Sequence, residues 1–154
     1  MSDITENLLN DINTPDWLVQ FQAVYQNLSK DDLNALTLVY HENIVFEDPL
    51  HKVEGLHNLL AYFENLYTHV ISCTFEINHF IHTFDEAAIY WEMHYQHPKL
   101  KSGKTISVMG HSHLKTLDNK IIYHRDYLDA GAMLYENIPF LGGVIGFLKK
   151  RINK

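Results

Sequence analysis

The character of the sequence changes at Ile71, and this change restricts the folds open to the chain. Before it, apolar residues recur at helical spacing, as at Leu18, Phe21 and Val24. After it come stretches rich in β-branched and aromatic residues, separated by turn material, at 71–81, 86–97, 105–117 and 120–128. Helices followed by a run of antiparallel strands indicate the α+β class and exclude alternating βαβ units.

The helix signals before Ile71 are local. Thr14, Pro15 and Asp16 predict an N-cap, a first helical position and an acid in the first turn. Ser29 predicts the cap of a second, short helix whose apolar residues run over 33–40. The remaining predictions are a strand over 43–47, a helix over 56–69 and an amphipathic helix over 138–154.

The length and charge limit the class of protein. The 154 residues predict a single domain over 1–154, with a core of about 14–130 and a C-terminal helical extension over 131–154. A net charge of −7 argues against a nucleic-acid partner. The only cysteine, Cys73, fits a reducing compartment, and the acidic N-terminus does not resemble a signal peptide. We therefore expect a cytoplasmic protein without membrane contact.

The C-terminal segment has an apolar stripe followed by basic residues, which suit the last turn of a helix. The stripe comprises Ile138, Leu141, Ile145 and Leu148. We expect this helix to be docked on the domain, and the alternatives are a pocket lid, a dimer contact and contact with an anionic membrane.

Asp48 is the first candidate for chemistry, because it lies at the end of a predicted strand beside Pro49. A carboxylate at such a position can project into a cavity, where burial would raise its pKa towards that of a general base. The alternative is that Asp48 caps the turn, as Asp often does.

Asp126 is the second candidate, because Asp is unfavourable within a strand. Strand alternation puts His124, Asp126 and Leu128 on one face. Asp126 is then a partner of Arg125, a residue protecting an edge strand, or a buried acid. We expect Asp126 to be more buried than Asp48 and to form an acid–imidazole pair with His124.

Eleven histidines raise the question of a metal. His111 and His113 would share a strand face, and His94 and His97 lie on the preceding strand. No HExxH or Cys/His signature is present, and we expect no metal. P-loop, GxGxxG and GxSxG motifs are also missing from the sequence, and we expect no cofactor.

Aromatic residues are frequent on the predicted strands and helices, and they either fill a core or line a pocket. The residues alone leave a packed core and a hollow one equally open.

The order of elements and three motifs resemble the nuclear transport factor 2-like superfamily. The motifs are 45–49 (VFEDP), 53–55 (VEG) and 120–129, which ends in RDYLD. The resemblance implies a cone-shaped, curved antiparallel sheet, wrapped by N-terminal helices around an apolar pocket. It also implies a homodimer. On this resemblance we expect the pocket to bind a small apolar molecule, and its expected lining is Phe46, Tyr62, Trp91, Met93, Tyr95 and Ser112.

Ketosteroid isomerase belongs to this superfamily, and the comparison with it is partial. Asp48 lies where that enzyme has its general base, in a similar Glu-Asp-Pro context, and Tyr25 falls on its oxyanion-hole tyrosine. The protonated acid that completes the hole should lie near Ser112, where the strand has no carboxylate. We therefore do not expect 3-ketosteroid isomerisation.

The resemblance to two other members of the superfamily implies a role for Asp126. It lies where limonene epoxide hydrolase has a carboxylate of its water-activating network, but the Arg-x-Asp pair expected between Trp91 and Tyr95 is not present. SnoaL-like polyketide cyclases use an acid from this last-strand region as a base. In that interpretation, His111 or His113 would help Asp126.

These observations predict a SnoaL-like enzyme that abstracts a proton from, or adds water to, an apolar substrate. Asp126 or Asp48 would be the base, Tyr25 a hydrogen-bond donor and His124 the partner of Asp126. The alternatives are a ligand-binding protein without activity and a dimeric protein-interaction module.

Overall fold

The structure is a computed structural model and describes residues 13–152. Two helices, α1 (Asp16–Asn27) and α2 (Leu56–His69), precede the long strands, and a 3-10 helix spans Lys30–Leu38. Short helix α3 (Ala130–Met133) and helix α4 (Leu141–Ile152) follow the sheet. The strands are β1 (Tyr40–Glu47), β2 (Lys52–Glu54), β3 (Ser72–His82), β4 (Glu86–Gln96), β5 (Ile106–Leu117) and β6 (Lys120–Leu128).

The six strands form one curved, unclosed sheet in the order β2-β1-β6-β5-β4-β3. All neighbours are antiparallel except β1 and β6, which are parallel, so the sheet is mixed where an antiparallel one was expected. The β5–β6 hairpin turns at Asp118 and Asn119, which have φ of 52° and 60°. Positive φ at both positions is typical of a type I′ turn, whose twist matches that of the strands.

The predicted second helix is wrong in its type and in its end. The segment forms a 3-10 helix that ends at Leu38, and Asp32 within it has non-helical angles (φ −133°, ψ 38°). Tyr40 instead begins β1 and pairs with Ile121. The N-cap of α1 is Pro15 rather than the predicted Thr14, whose hydroxyl has no partner among the described residues, and Ser29 makes no capping hydrogen bond.

The core lies between α1, α2 and the concave face of the sheet. Alternation along β4 turns Ile89, Trp91 and Tyr95 inwards and leaves Tyr90 exposed on the convex face. Helix α2 buries Leu59 and further residues at intervals of four, so one face of the helix covers the sheet. None of the described helices is long and apolar enough to span a bilayer.

Candidate active site

A cavity of about 460 Å³ opens between the concave face and the helices. Its lining is mainly apolar and aromatic, and it contains every residue predicted for the site. These are Tyr25, Phe46, Asp48, Tyr62, Trp91, Met93, Tyr95, Ser112, His124 and Asp126. The structure therefore brings residues from six elements and the β1–β2 turn to one space.

Asp126 has one oxygen fixed by protein donors. Its Oδ1 accepts hydrogen bonds from Ser112 Oγ at 2.5 Å and from His124 Nε2 at 2.7 Å. Trp91 Nε1 in turn donates to Ser112 Oγ at 2.8 Å. Oδ2 of Asp126 has no hydrogen-bond partner among residues 13–152, and the residue lines the cavity. The second oxygen is thus available to a substrate or to water.

His124 connects Asp126 to two buried tyrosines. Its Nδ1 lies 2.6 Å from the Tyr40 hydroxyl, which lies 2.6 Å from the Tyr25 hydroxyl. An ionised Asp126 only accepts, so we assign the proton of a neutral His124 to Nε2. Tyr40 then donates to Nδ1 and accepts from Tyr25. Burial raises the pKa of both tyrosines well above the ordinary value, so both keep their protons.

Asp126 neither protects an edge strand nor pairs with Arg125, which were the two alternatives to a buried acid. Strand β6 lies between β1 and β5, so Asp126 is not on an edge strand. Arg125 points to the convex face, where its guanidinium pairs with Glu47. Asp126 is therefore a partly buried acid that is hydrogen-bonded to Ser112 and His124.

Asp48 is occupied by its own turn. Its Oδ1 accepts from the backbone N–H groups of Leu50 and His51, each at 2.7 Å, and its Oδ2 accepts from the Tyr62 hydroxyl. Burial and this hydrogen bond raise the pKa of Tyr62. Both carboxylate oxygens thus have donors, which is the capping role that the sequence left open.

The expected order of burial is wrong. The side chain of Asp48 is 15% exposed and that of Asp126 is 18% exposed. Tyr62 of α2 covers Asp48, whereas Asp126 borders the open space of the cavity. The two acids are similarly buried and differ in their hydrogen bonds. Both oxygens of Asp48 accept from protein donors, whereas Oδ2 of Asp126 has no donor among the described residues.

His111 and His113 do not assist Asp126. Ser112, between them, points inwards, so both histidines lie on the convex face. His113 contacts Glu86, and the His111 ring stacks on Tyr127 at 4.9 Å between centroids. The resemblance to the cyclases implied that one of these histidines assists Asp126, but strand alternation places both on the face of the sheet opposite to Asp126.

Tyr40, Tyr67 and Cys73 were not among the predicted site residues, although both tyrosines belong to the aromatic residues expected to fill a core or line a pocket. Tyr40 was assigned to a helix. It lies an even number of residues before Ile44 and Phe46, however, and this spacing fits the buried face of β1. Tyr67 lines the cavity, and its buried hydroxyl has no hydrogen-bond partner among the described residues. Burial raises the pKa of the Cys73 thiol to about 11.

Comparison with known proteins gives a family and a fold. The family model described as a SnoaL-like domain matches residues 21–124. None of the curated proteins matches the sequence.

Three solved structures are similar over most of their length. A candidate SnoaL-like polyketide cyclase from Shewanella denitrificans OS-217 is 22% identical, with a TM-score of 0.66 over 78% of this chain and 95% of that one. A ketosteroid isomerase-like protein from Catenulispora acidiphila DSM 44928, in complex with trimethylamine, is 15% identical, with a TM-score of 0.69 over 82% and 96%. An LEH-like epoxide hydrolase of M. tuberculosis is 14% identical, with a TM-score of 0.65 over 79% and 86%.

At these identities the structures establish a shared fold and no shared activity. The match of the family model covers more than half of the chain, and it includes β1, α2 and the strands up to His124. The chain therefore belongs to the family of SnoaL-like domains.

Proposed function

We propose that the protein binds a small apolar molecule in the cavity and acts on it with Asp126 as general base. The observation that carries this proposal is the asymmetry of the Asp126 carboxylate. One oxygen accepts from Ser112 and His124, and the other has no partner among the described residues.

The cavity supports the binding step. Ligand pockets commonly measure about 300–1,000 Å³ and combine an apolar lining with a few polar groups. This cavity has about 460 Å³, and Phe46, Trp91 and Met93 contribute to its apolar lining. Burial of apolar surface would therefore supply most of the affinity.

The hydrogen bonds on Oδ1 support the chemical step. They fix the carboxylate plane, so that Oδ2 can accept a proton from a carbon acid or from a water molecule. His124 and Ser112 keep their bonds to Oδ1 after that transfer. Tyr25 and Tyr40 then act as positioning residues, because their hydroxyls hold the His124 ring rather than the substrate.

Deuterium exchange tests the proposal without knowledge of the product. Apolar molecules retained by the purified protein would be extracted, identified by mass spectrometry and returned to the protein in D2O. We expect the wild-type protein to incorporate deuterium into the molecule, or to add labelled water to it. Asp126→Asn should retain the molecule and lose the exchange.

Asp48→Asn is the matched control, because it makes the same change in the other acid of the cavity. We expect it to keep most of the exchange and to lose stability, since three donors lose their charged acceptor. Equal exchange by wild-type protein and Asp126→Asn would refute the role of Asp126. Retention without any exchange would favour the ligand-binding alternative.

We also propose that the chain forms a homodimer through the convex face of the sheet. Tyr90, Met109 and Tyr127 are exposed there, and the His111 ring lies between the two tyrosines, stacked on Tyr127 and tilted against Tyr90. An exposed apolar patch of this kind is typical of an interface. Light scattering should give the dimer mass for wild-type protein and the monomer mass for Met109→Lys.

A further inference from the structure

Helix α4 is amphipathic and has no buried residue. The exposed fraction is 62% for Phe147, 83% for Ile152 and 90% for Phe140, just before the helix. A helix docked on the domain, as the sequence predicted, would bury its apolar stripe. The packing of α4 instead involves the turn Tyr135–Asn137, and its apolar side chains stay accessible.

The charge of α4 is opposite to that of the protein. The helix contains Lys149, Lys150 and Arg151 in its last turn and no acidic residue, whereas the chain has a net charge of −7. Lys149 contacts Glu136. Lys150 and Arg151 form no ion pair within the part of the chain that the structure describes.

We propose that α4 binds the surface of an anionic lipid bilayer, in contrast to the absence of membrane contact expected from the sequence. Phe147, Leu148 and Ile152 would enter the boundary between head groups and acyl chains, while Lys150 and Arg151 contact lipid phosphates. An exposed apolar face beside a cluster of basic residues is the pattern of helices that lie in a membrane interface. Each basic residue near an anionic surface strengthens binding about fivefold.

Charge and position argue against two other roles of this helix, which are pairing with a second copy of α4 and closing the pocket as a lid. A second α4 would add three more cations and supply no acidic residue to neutralise them. A pocket lid would require α4 to border the cavity, but the last residue in the cavity lining is Leu134, before the helix begins.

Sedimentation of the full-length protein with vesicles tests the proposal. The two kinds of vesicle would be pure phosphatidylcholine and phosphatidylcholine with about 30% phosphatidylglycerol, which is anionic. We expect the protein to sediment with the second kind only, and to be released at about 0.5 M NaCl, because salt screens the lipid charge.

Two variants of α4 separate its charge from its apolar face. Lys150→Glu with Arg151→Glu should weaken binding at least about twentyfold, and Phe147→Ser should weaken it about tenfold. The matched controls are Lys30→Glu with Lys104→Glu, and Phe84→Ser, which change exposed residues outside α4. The controls should bind like the wild-type protein, and circular dichroism should be the same for all.

Three results would overturn the proposal. They are the lack of sedimentation with either vesicle, equal sedimentation with both, and equal losses in the controls and the α4 variants. A dimer that forms without vesicles and disappears in Phe147→Ser would assign the helix to a second copy instead.

Discussion

The indole ring of Trp91 lies over Gly110, its antiparallel partner on β5. A Cβ at position 110 would overlap the ring, so the glycine leaves the space that the indole occupies. From there Trp91 Nε1 donates to Ser112, which donates to Asp126. Because Gly110 has no side chain, Trp91 can reach Ser112 and so helps to orient the carboxylate of Asp126.

Gly110→Ala should destabilise the protein by about 1–3 kcal/mol, because the added methyl group overpacks the cavity wall and displaces the indole. Urea unfolding followed by tryptophan fluorescence measures the loss, and the native emission should also shift. Gly143→Ala is the control, since a Cβ there meets nothing within 4 Å. It should be neutral or stabilising, by up to about 1 kcal/mol. Equal stability of the two variants would contradict this account of Trp91.

The chain of hydroxyls behind Asp126 predicts an order of stabilities. Tyr40→Phe leaves both the Tyr25 hydroxyl and His124 Nδ1 without a partner, which should cost about 1–3 kcal/mol. Tyr25→Phe removes only the last donor and should cost about 0.5–1.5 kcal/mol. Urea unfolding at neutral pH compares the two variants. If Tyr25→Phe were the more damaging, the central position of Tyr40 between Tyr25 and His124 would be wrong.

Tyr67 predicts a substitution without a loss of stability. Its buried hydroxyl has no partner among the described residues, so Tyr67→Phe should leave the free energy of unfolding unchanged or raise it. Burial and the neighbouring Cys73 raise the pKa of Tyr67, so the hydroxyl keeps its proton. Urea unfolding compares the variant with wild-type protein, and a loss of more than about 1 kcal/mol would show that the hydroxyl is hydrogen-bonded in the native protein.

The sequence predicted those elements whose signals are local. Helix α2 begins after Gly55 and spans 56–69 as expected, and β6 spans 120–128 after the turn at Asp118 and Asn119. Strand alternation also put Trp91 and Met93 on one face of β4, and the family resemblance identified that face as the concave one, where both residues line the cavity with Asp126. In each case the periodicity and the turn residues act within a few positions along the chain.

The features that the sequence did not predict depend on residues distant along the chain. Tyr40 begins β1 because that strand pairs in parallel with β6, about eighty residues later. Asp48 is as buried as Asp126 because Tyr62 of α2 covers it, and no local pattern specifies where α2 packs. The spacing of 33–40 fitted a helix, but the pairing of β1 overrides that local preference.

Cys73 predicts a measurable dependence on pH. The thiol lies in the cavity wall, and burial raises its pKa from 9 to about 11. The thiolate is the reactive form, so at pH 8 the native protein should react with iodoacetamide at least about a hundredfold more slowly than the unfolded chain. The folded state holds this proton more tightly, so the contribution to stability is complete below about pH 9 and is lost as the pH rises through about 11. Mass spectrometry of the whole protein measures the rate, because the chain has one cysteine. Native alkylation at pH 8 as fast as in about 8 M urea would show an exposed thiol and contradict the burial of this wall.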